Sequence, residues 1–246
     1  WIGGPMMEFG KEELEKAIEV KVEVGGIEAD MAIRGALTTP GSSTPLAILD
    51  MGAGSTDASV IDNSGEIKSI HLAGAGNMVT MLINSELGLE DFDLAEDIKK
   101  YPLAKVESLF HIRHEDGSVE FFEKQLDPKV FARVVILKEG NMIPIPSNHS
   151  LEKIKTIRKA SKQKVFVTNA IRALKMVSKT GNIREIEYVE LLGGSALDFE
   201  VPQLVTDALS QYGIVSGRAN IRSVEGARNA VATGLVLSYG EDIKNE

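Results

Sequence analysis

The sequence predicts an α/β protein built on a mixed sheet with flanking helices. Two observations carry this expectation. Between Leu46 and Leu72 an unbroken apolar run is followed by two alternating stretches with turn residues between them, the pattern of a strand meander. From Leu151 onward, helical spacing alternates with a further apolar strand, Tyr188–Leu192, so strands and helices interleave in the second half.

The elements follow in order. Residues 11–18 (KEELEKAI) set Leu14, Ala17 and Ile18 at helix spacing. Val20, Val22 and Val24 alternate with charged residues and predict a half-buried strand ended by Gly25-Gly26. Helical spacing returns over Ile27–Leu37, and Thr38–Ser43 is a loop by composition. Leu46–Leu49 is the short run expected of a fully buried strand. Ala58–Ile61 and Ile67–Leu72, joined at Asp62-Asn63-Ser64-Gly65, complete two consecutive hairpins. Gly74-Ala75-Gly76 leads into a helix over Met78–Leu87, and a second helix is expected over about Leu94–Ser108.

From Leu109 to Ser150 the signals are weak: short strands at Val119–Phe122 and Val134–Leu137, among turns and Pro144 and Pro146. Leu151, Ile154, Ile157, Val167, Ile171, Leu174 and Val177 give the longest helical pattern, closed by Gly181-Asn182. After Tyr188–Leu192 comes a tight turn at Gly193-Gly194-Ser195. Helix Val201–Tyr212 has Pro202 in its first turn and Gly213 past its end. A last helix covers 225–238. The expected organisation is an entry segment (1–24), a lobe in two parts (25–108 and 151–246) and an insert between them (109–150). The opening Trp1-Ile2-Gly3-Gly4-Pro5-Met6-Met7 lacks an initiator Met and reads as an added stretch or, preferably, the cut end of a longer polypeptide.

Composition narrows the function classes. The 246 residues are 43% hydrophobic and 26% charged, enough for a core of ordinary size. Twenty-seven Lys plus Arg against 36 Asp plus Glu leave a net charge of −9, which argues against a nucleic-acid partner. No apolar run approaches the length that crosses a bilayer, so no membrane partner is expected. The chain has no cysteine, which excludes disulfides and thiolate sites, and it shows no signal-peptide pattern; a cytoplasmic location is expected.

The strongest local motif is Asp50-Met51-Gly52-Ala53-Gly54-Ser55-Thr56-Asp57. A strand delivers Asp50 to its end, and two glycines let the backbone approach a ligand closely. Exposed N–H groups in such a turn cradle an anion, and Ser55 and Thr56 can add donors. Two carboxylates bracketing a phosphate would repel it without a cation, so Asp50 and Asp57 imply Mg²⁺ held through water. The residues after Gly54 continue as strand, so this is not a dinucleotide fold, whose glycines open a helix. The same turn also reads as an ordinary hairpin with an acidic tip. Leu191-Leu192-Gly193-Gly194-Ser195 ends a strand in paired glycines, permitting approach of a flat ring or a phosphate, or forming a plain strand-to-helix turn. Glu96 and Lys99, three apart on one helical face, could hold ribose hydroxyls or form a surface ion pair.

In this order the motifs resemble the actin-like ATPase (ribonuclease H-like) fold shared by actin, sugar kinases and heat-shock chaperones. Asp50–Asp57 looks like its second phosphate loop, Gly74-Ala75-Gly76 like the next glycine turn, and Leu191–Ser195 like the adenosine motif. Glu28–Gly35 and Ala227–Gly234 resemble the two connecting helices at the hinge between lobes. Within that superfamily the chain is similar to the large subunit of diol/glycerol dehydratase reactivating factors over nearly all of residues 25–240. The likeness is carried by long stretches such as GALTTPGSSTPLAILDMGAGSTDASVID, VFVTNAIRALKMVS, GGSALDFEVPQLVTDAL and RNAVATGL. The region after Gly74 matches through the insert as well.

The resemblance implies ATP or ADP and Mg²⁺ as ligands. Asp50 and Asp57 would be catalytic and metal-handling; Gly52, Ala53, Gly54, Ser55, Thr56, Gly74 and Gly76 would face phosphate; Glu96, Lys99, Gly193, Gly194 and Ser195 would face the nucleoside. It implies a chaperone-like ATPase that releases damaged adenosylcobalamin from an inactivated diol or glycerol dehydratase, with a small reactivating subunit and the dehydratase as partners. The first phosphate loop and the swivelling domain of that family are absent, and Trp1–Phe9 matches nothing, so the chain alone is expected to be inactive. Two other readings stand beside this one: a small-molecule kinase of the same superfamily, with Asp50 as general base, and a binding scaffold that does not hydrolyse ATP. Three features are set aside. His111 and His114, beside Glu115 and Asp116, read as turn residues, because zinc needs three or four ligands. The basic run Lys153–Lys164 reads as the solvated face of the long helix, and Met78 and Met81 as core.

Overall fold

The computed structural model describes residues 4–245, with side chains from 10 to 240, so Trp1–Phe9 lie outside the described side chains. In chain order the elements are α1 (Gly4–Ile18), α2 (Glu28–Ala36), β1 (Leu46–Met51), β2 (Ser55–Ile61), β3 (Ile67–Ala73), α3 (Gly76–Leu87), α4 (Phe92–Lys100), β4 (Leu103–Ser108), β5 (His111–His114), β6 (Val119–Phe121), β7 (Val134–Lys138), β8 (Asn141–Pro144), α5 (Leu151–Lys162), α6 (Thr168–Val177), β9 (Tyr188–Leu192), α7 (Val201–Ser210), β10 (Val215–Arg218) and α8 (Ala230–Asn245). A π-helical turn at Gln163–Val167 joins α5 to α6. No helix among the described residues is long and apolar enough to cross a membrane.

The first sheet has the order β10-β9-β1-β2-β3 and is mixed. β1, β2 and β3 form the antiparallel meander, while β9 pairs parallel with β1 and β10 parallel with β9. Its central strand explains the unbroken run Leu46–Leu49. Ala47, Leu49 and Met51 join a large cluster with α3, α5, α6 and α7, whereas Leu46 and Ile48 join a smaller one with Ala32, Ile33 and Ala36 of α2 and Ala230 of α8. A strand covered on both faces has no polar side to show. On the smaller-cluster side, α2 and α8 cross in backbone contact. A Cβ on Gly35 would lie 1.9 Å from Ala230 O, and one on Gly234 would lie 2.0 Å from Met31 O.

The second sheet, β6-β5-β4-β7-β8, is antiparallel throughout and runs from Leu103 to Pro144. It takes in the weakly patterned region and begins inside the stretch read as helix. That helix, α4, is capped by Asp91, whose side chain accepts from Leu94 N–H, and it ends at Lys100. Pro102 supplies no N–H and disfavours helix in the residue before it, so Leu103–Ser108 leaves as β4.

Other expectations are corrected. Val20, Val22 and Val24 form no strand: residues 19–27 carry no regular element, and Val20 and Val24 are exposed; no strand among the described residues lies alongside to pair with, and Val22 N–H donates instead to Glu15 Oε1 at 2.8 Å. Met78 and Met81 are 46% and 59% exposed. The buried stripe of α3 is Gly76, Val79, Thr80, Ile83 and Leu87, and both methionines fall beside it. His111 and His114 are strand residues, not turn residues. Their odd spacing on β5 sends them to opposite faces, His111 towards Ser108 and Glu107, His114 towards Glu120. Within Lys153–Lys164, Arg158 and Lys162 are fully buried, so that helix face is not wholly solvated.

Candidate functional site

Asp50 and Asp57 are directly opposed in the β1–β2 ladder, which puts both carboxylates on one face of the hairpin. Gly52 N–H donates to Ser55 O at 3.0 Å and closes the turn. The glycine turn before α3 then takes up the carbonyls of the hairpin tip: Gly74 N–H donates to Gly54 O at 2.8 Å, Gly76 N–H to Gly52 O at 3.2 Å and Asn77 N–H to Ala53 O at 2.8 Å. The N–H groups of Ala53 and Gly54 find no acceptor among the described residues, and both residues are exposed. Carbonyls turned inward and amides left free are what an anion cradle requires.

The Gly193-Gly194-Ser195 turn closes on the same hairpin. Ser195 Oγ donates to Gly52 O at 3.1 Å, and Gly193 N–H donates to Ala227 O at 2.9 Å, tying the turn to the loop before α8. Gly193 has φ +87°, and a Cβ there would lie 2.4 Å from Asp50 Oδ1 and 2.6 Å from Met51 O. Glycine is therefore required at this position twice over, by backbone conformation and by contact. A cleft of ≈ 440 Å³ opens here, lined by Asp50, Gly193, Gly194, Arg228, Asn229 and the start of α8.

Burial, then the Asp57 charge, then Glu28 push the Asp50 carboxyl up to about 6. Asp57 accepts from Ser55 Oγ through Oδ2 at 3.0 Å. Its Oδ1 is buried and lacks a hydrogen bond, although His71 Nδ1 lies 2.6 Å away out of alignment.

The raised carboxyl has a consequence for stability. The folded state holds its proton up to about pH 6, whereas an unfolded Asp releases it near 3.9, so the fold loses stability as pH rises between these values. Asp50→Asn removes that cost. At pH 7 the variant is expected to be more stable than the parent by up to about 3 kcal/mol, converging with it below pH 4. Urea denaturation at both pH values checks this; equal stability at pH 7 would mean that Asp50 is not desolvated.

Other residues expected to face a ligand hold the loops instead. Thr56 is fully buried, and its hydroxyl donates to Gly74 O at 3.0 Å. Gly74 and Gly76 are buried, with their N–H groups spent on the hairpin. Lys99, 8% exposed, is directed at Gly76 O (3.0 Å), Thr80 Oγ1 (2.9 Å) and Glu96 Oε2 (2.5 Å), which fills its three donor positions. Burial alone would raise the Glu96 carboxyl, but hydrogen bonds from Lys100, Lys99 and Thr80 hold it at about 2.

Four further residues, none of them among the candidates from sequence, support this region. Asn169 of α6 donates to Ala73 O and Gly74 O, fixing the glycine turn from the far side. Arg228 lines the cleft beside Gly194. Arg158 and Lys162 anchor the segment that follows Ser195. Arg228 stood in the Ala227–Gly234 stretch, Asn169 in VFVTNAIRALKMVS, and Arg158 and Lys162 in the basic run Lys153–Lys164 that was read as solvated.

A family model described as the diol dehydratase reactivase ATPase-like domain matches residues 5–239. The chain is 63% identical over 234 residues to the diol dehydratase-reactivating factor large subunit of Klebsiella michiganensis, covering 95% of this chain and 38% of that protein. It is 64% identical over 230 residues to the propanediol dehydratase-reactivating factor large subunit of Salmonella typhimurium, covering 94% of this chain and 38% of that one. The chain thus spans under two fifths of the length of these relatives. A solved diol dehydratase-reactivating factor in nucleotide-free form superposes with a TM-score of 0.89 at 62% identity, over 96% of this chain and 39% of that one. MreB5 of Spiroplasma citri bound to ADP superposes with a TM-score of 0.58 at 20% identity, over 100% of this chain and 69% of that one. The archaeal actin homologue Ta0583 does so at 0.53 and 12%, over 88% and 55%. The last two likenesses show the fold, which is that of the actin-like ATPases.

Proposed function

The chain belongs to the diol dehydratase reactivase ATPase-like domain family, and from that premise we propose that it is the nucleotide-binding part of a chaperone-like ATPase. The whole protein would reactivate an adenosylcobalamin-dependent diol or glycerol dehydratase by releasing damaged cofactor, working with a small reactivating subunit. ATP and ADP are the proposed ligands. The observation that carries this reading is the joining of two distant glycine turns: Ser195 Oγ on Gly52 O, and Gly193 against Asp50, beside the free amides of Ala53 and Gly54. Phosphate oxygens would take those amides, and the nucleoside would lie along Gly193-Gly194. Lys99 and Glu96 would support this side through the Gly76 turn. Family membership sets the sugar-kinase alternative aside.

The acidic pair fits Mg²⁺. Asp50 and Asp57 share one face, offer only oxygen ligands and include a buried carboxylate oxygen without a hydrogen bond. A hard cation that keeps water and phosphate oxygens needs no more than one or two carboxylates. When bound, it would neutralise phosphate charge beside them. The residues themselves set the distance between the carboxylates and the amide cradle.

Phosphoryl transfer depends on groups placed around the terminal phosphate and its metal, and the described residues supply one set of glycine turns for that purpose. The chain is therefore expected to bind ADP, more tightly with Mg²⁺, and to release no phosphate from ATP above a buffer blank. Calorimetric titration and a phosphate-release assay check the two halves. No heat of ADP binding with or without Mg²⁺ would sink the nucleotide reading, and sustained Asp50-dependent hydrolysis would sink the second half.

A further inference from the structure

Directly after the nucleoside-side turn, the chain passes through Asp198-Phe199-Glu200 into α7. Two cations one helical turn apart on α5, Arg158 and Lys162, hold this segment, and both are fully buried. Lys162 Nζ lies 2.8 Å from both oxygens of Asp198 and 2.8 Å from Glu200 Oε2. Arg158 grips Glu200 with two nitrogens, Nε at 2.9 Å and Nη2 at 2.8 Å, and its Nη2 also reaches Glu115, in the turn between β5 and β6, at 2.9 Å. The Phe199 ring covers both cations, 4.9 Å from the Arg158 guanidinium and 4.4 Å from Lys162 Nζ. Asp198 Oδ1 meanwhile accepts from Glu200 N–H and Val201 N–H at the start of α7.

Desolvating such charges costs several kcal/mol, and apolar residues of the same volume often serve stability equally well. What paired, many-toothed contacts supply is fixed geometry. The segment they fix is one anchor of the Gly194–Leu197 turn. Strand β9 and the Gly193 contact with Asp50 are the other. We propose that Arg158 and Lys162 are positioning residues for the nucleoside-binding turn, acting through Asp198 and Glu200. This rests on the nucleotide reading above. The pair touches no ligand; it holds the turn rigid in the shape that receives the nucleoside, so that binding carries less ordering cost.

The test uses the full chain, with adenosine, ADP and pyrophosphate as separate titrants and urea denaturation alongside. Lys162→Met takes the ammonium from both Asp198 and Glu200 and is expected to lower stability. Lys162→Met with Asp198→Asn removes both charges and keeps an acceptor for the α7 amides, so stability returns towards that of the parent. In this double variant, adenosine and ADP are expected to bind about tenfold more weakly, by the same factor, with pyrophosphate unchanged. Parental adenosine and ADP affinity in the double variant overturns the inference, because the pair would then serve stability alone. A double variant that does not fold overturns it for the same reason. A parent chain that binds none of the three titrants refutes the nucleotide reading itself, and this inference with it.

Discussion

Gly193→Val is expected to remove ADP binding by the chain and to lower its stability by roughly 3–5 kcal/mol. Two costs add. A β-branched residue at φ +87° is strained in its own backbone. Its Cβ would also enter the space of Asp50 Oδ1 and Met51 O, at 2.4 and 2.6 Å. Neither neighbour yields easily: Met51 O belongs to the central strand, and Asp50 is packed beside Asp57. Relief would have to come from the turn, which would move Ser195 off Gly52 O and separate the two glycine turns. Gly193→Ala carries the same Cβ with less bulk and should fail in the same direction. Titration with ADP and a urea melt of both variants check this. An alanine variant that binds ADP within about twofold of the parent would show that the contact with Asp50 does not shape the site.

A second large effect is expected at the helix crossing. Gly234→Val places a Cβ 2.0 Å from Met31 O, and Gly35→Val places one 1.9 Å from Ala230 O, backbone against backbone in both cases. α2 and α8 must then move apart, opening the cluster of Ile33, Ala36, Leu46 and Ile48 between them and the sheet. Each variant should lose about 3 kcal/mol or more. The same helix supplies a control. A Cβ on Gly240 meets nothing within 4 Å, so Gly240→Ala should be neutral or add up to about 1 kcal/mol through helix propensity. If all three variants melt alike, the crossing is looser than these distances require.

Much of the fold was legible because it was local. The run Leu46–Leu49 announced a strand buried on both faces, and Asp62–Gly65 announced the turn between β2 and β3. The two motifs that meet at the cleft were legible for the same reason. A strand ending in Asp50 before Gly52 and Gly54, and another ending in Gly193 and Gly194, are patterns within single turns. The second sheet was less legible. Strands of three to six residues, paired only with one another, carry too few alternations to separate from loop.

The sequence by itself therefore determined the mixed sheet, the order of its motifs and the two glycine turns that meet beside Asp50, since each depends on residues a few positions apart. The tertiary structure decided what their polar side chains do. Lys99 had the spacing of a surface ion pair and instead lies buried on Gly76 O, 23 residues away in sequence. Thr56, a candidate donor to phosphate, turns inward to Gly74. Arg158 and Lys162 looked like solvated helix charges and are enclosed by carboxylates about 40 residues distant. Glu190, in an otherwise apolar strand, is satisfied by hydroxyls of Thr39 and Ser42 from the loop before β1. Periodicity reports which way a side chain faces along its own element. Whether a buried charge is tolerated depends on partners that only the folded chain brings within hydrogen-bond reach.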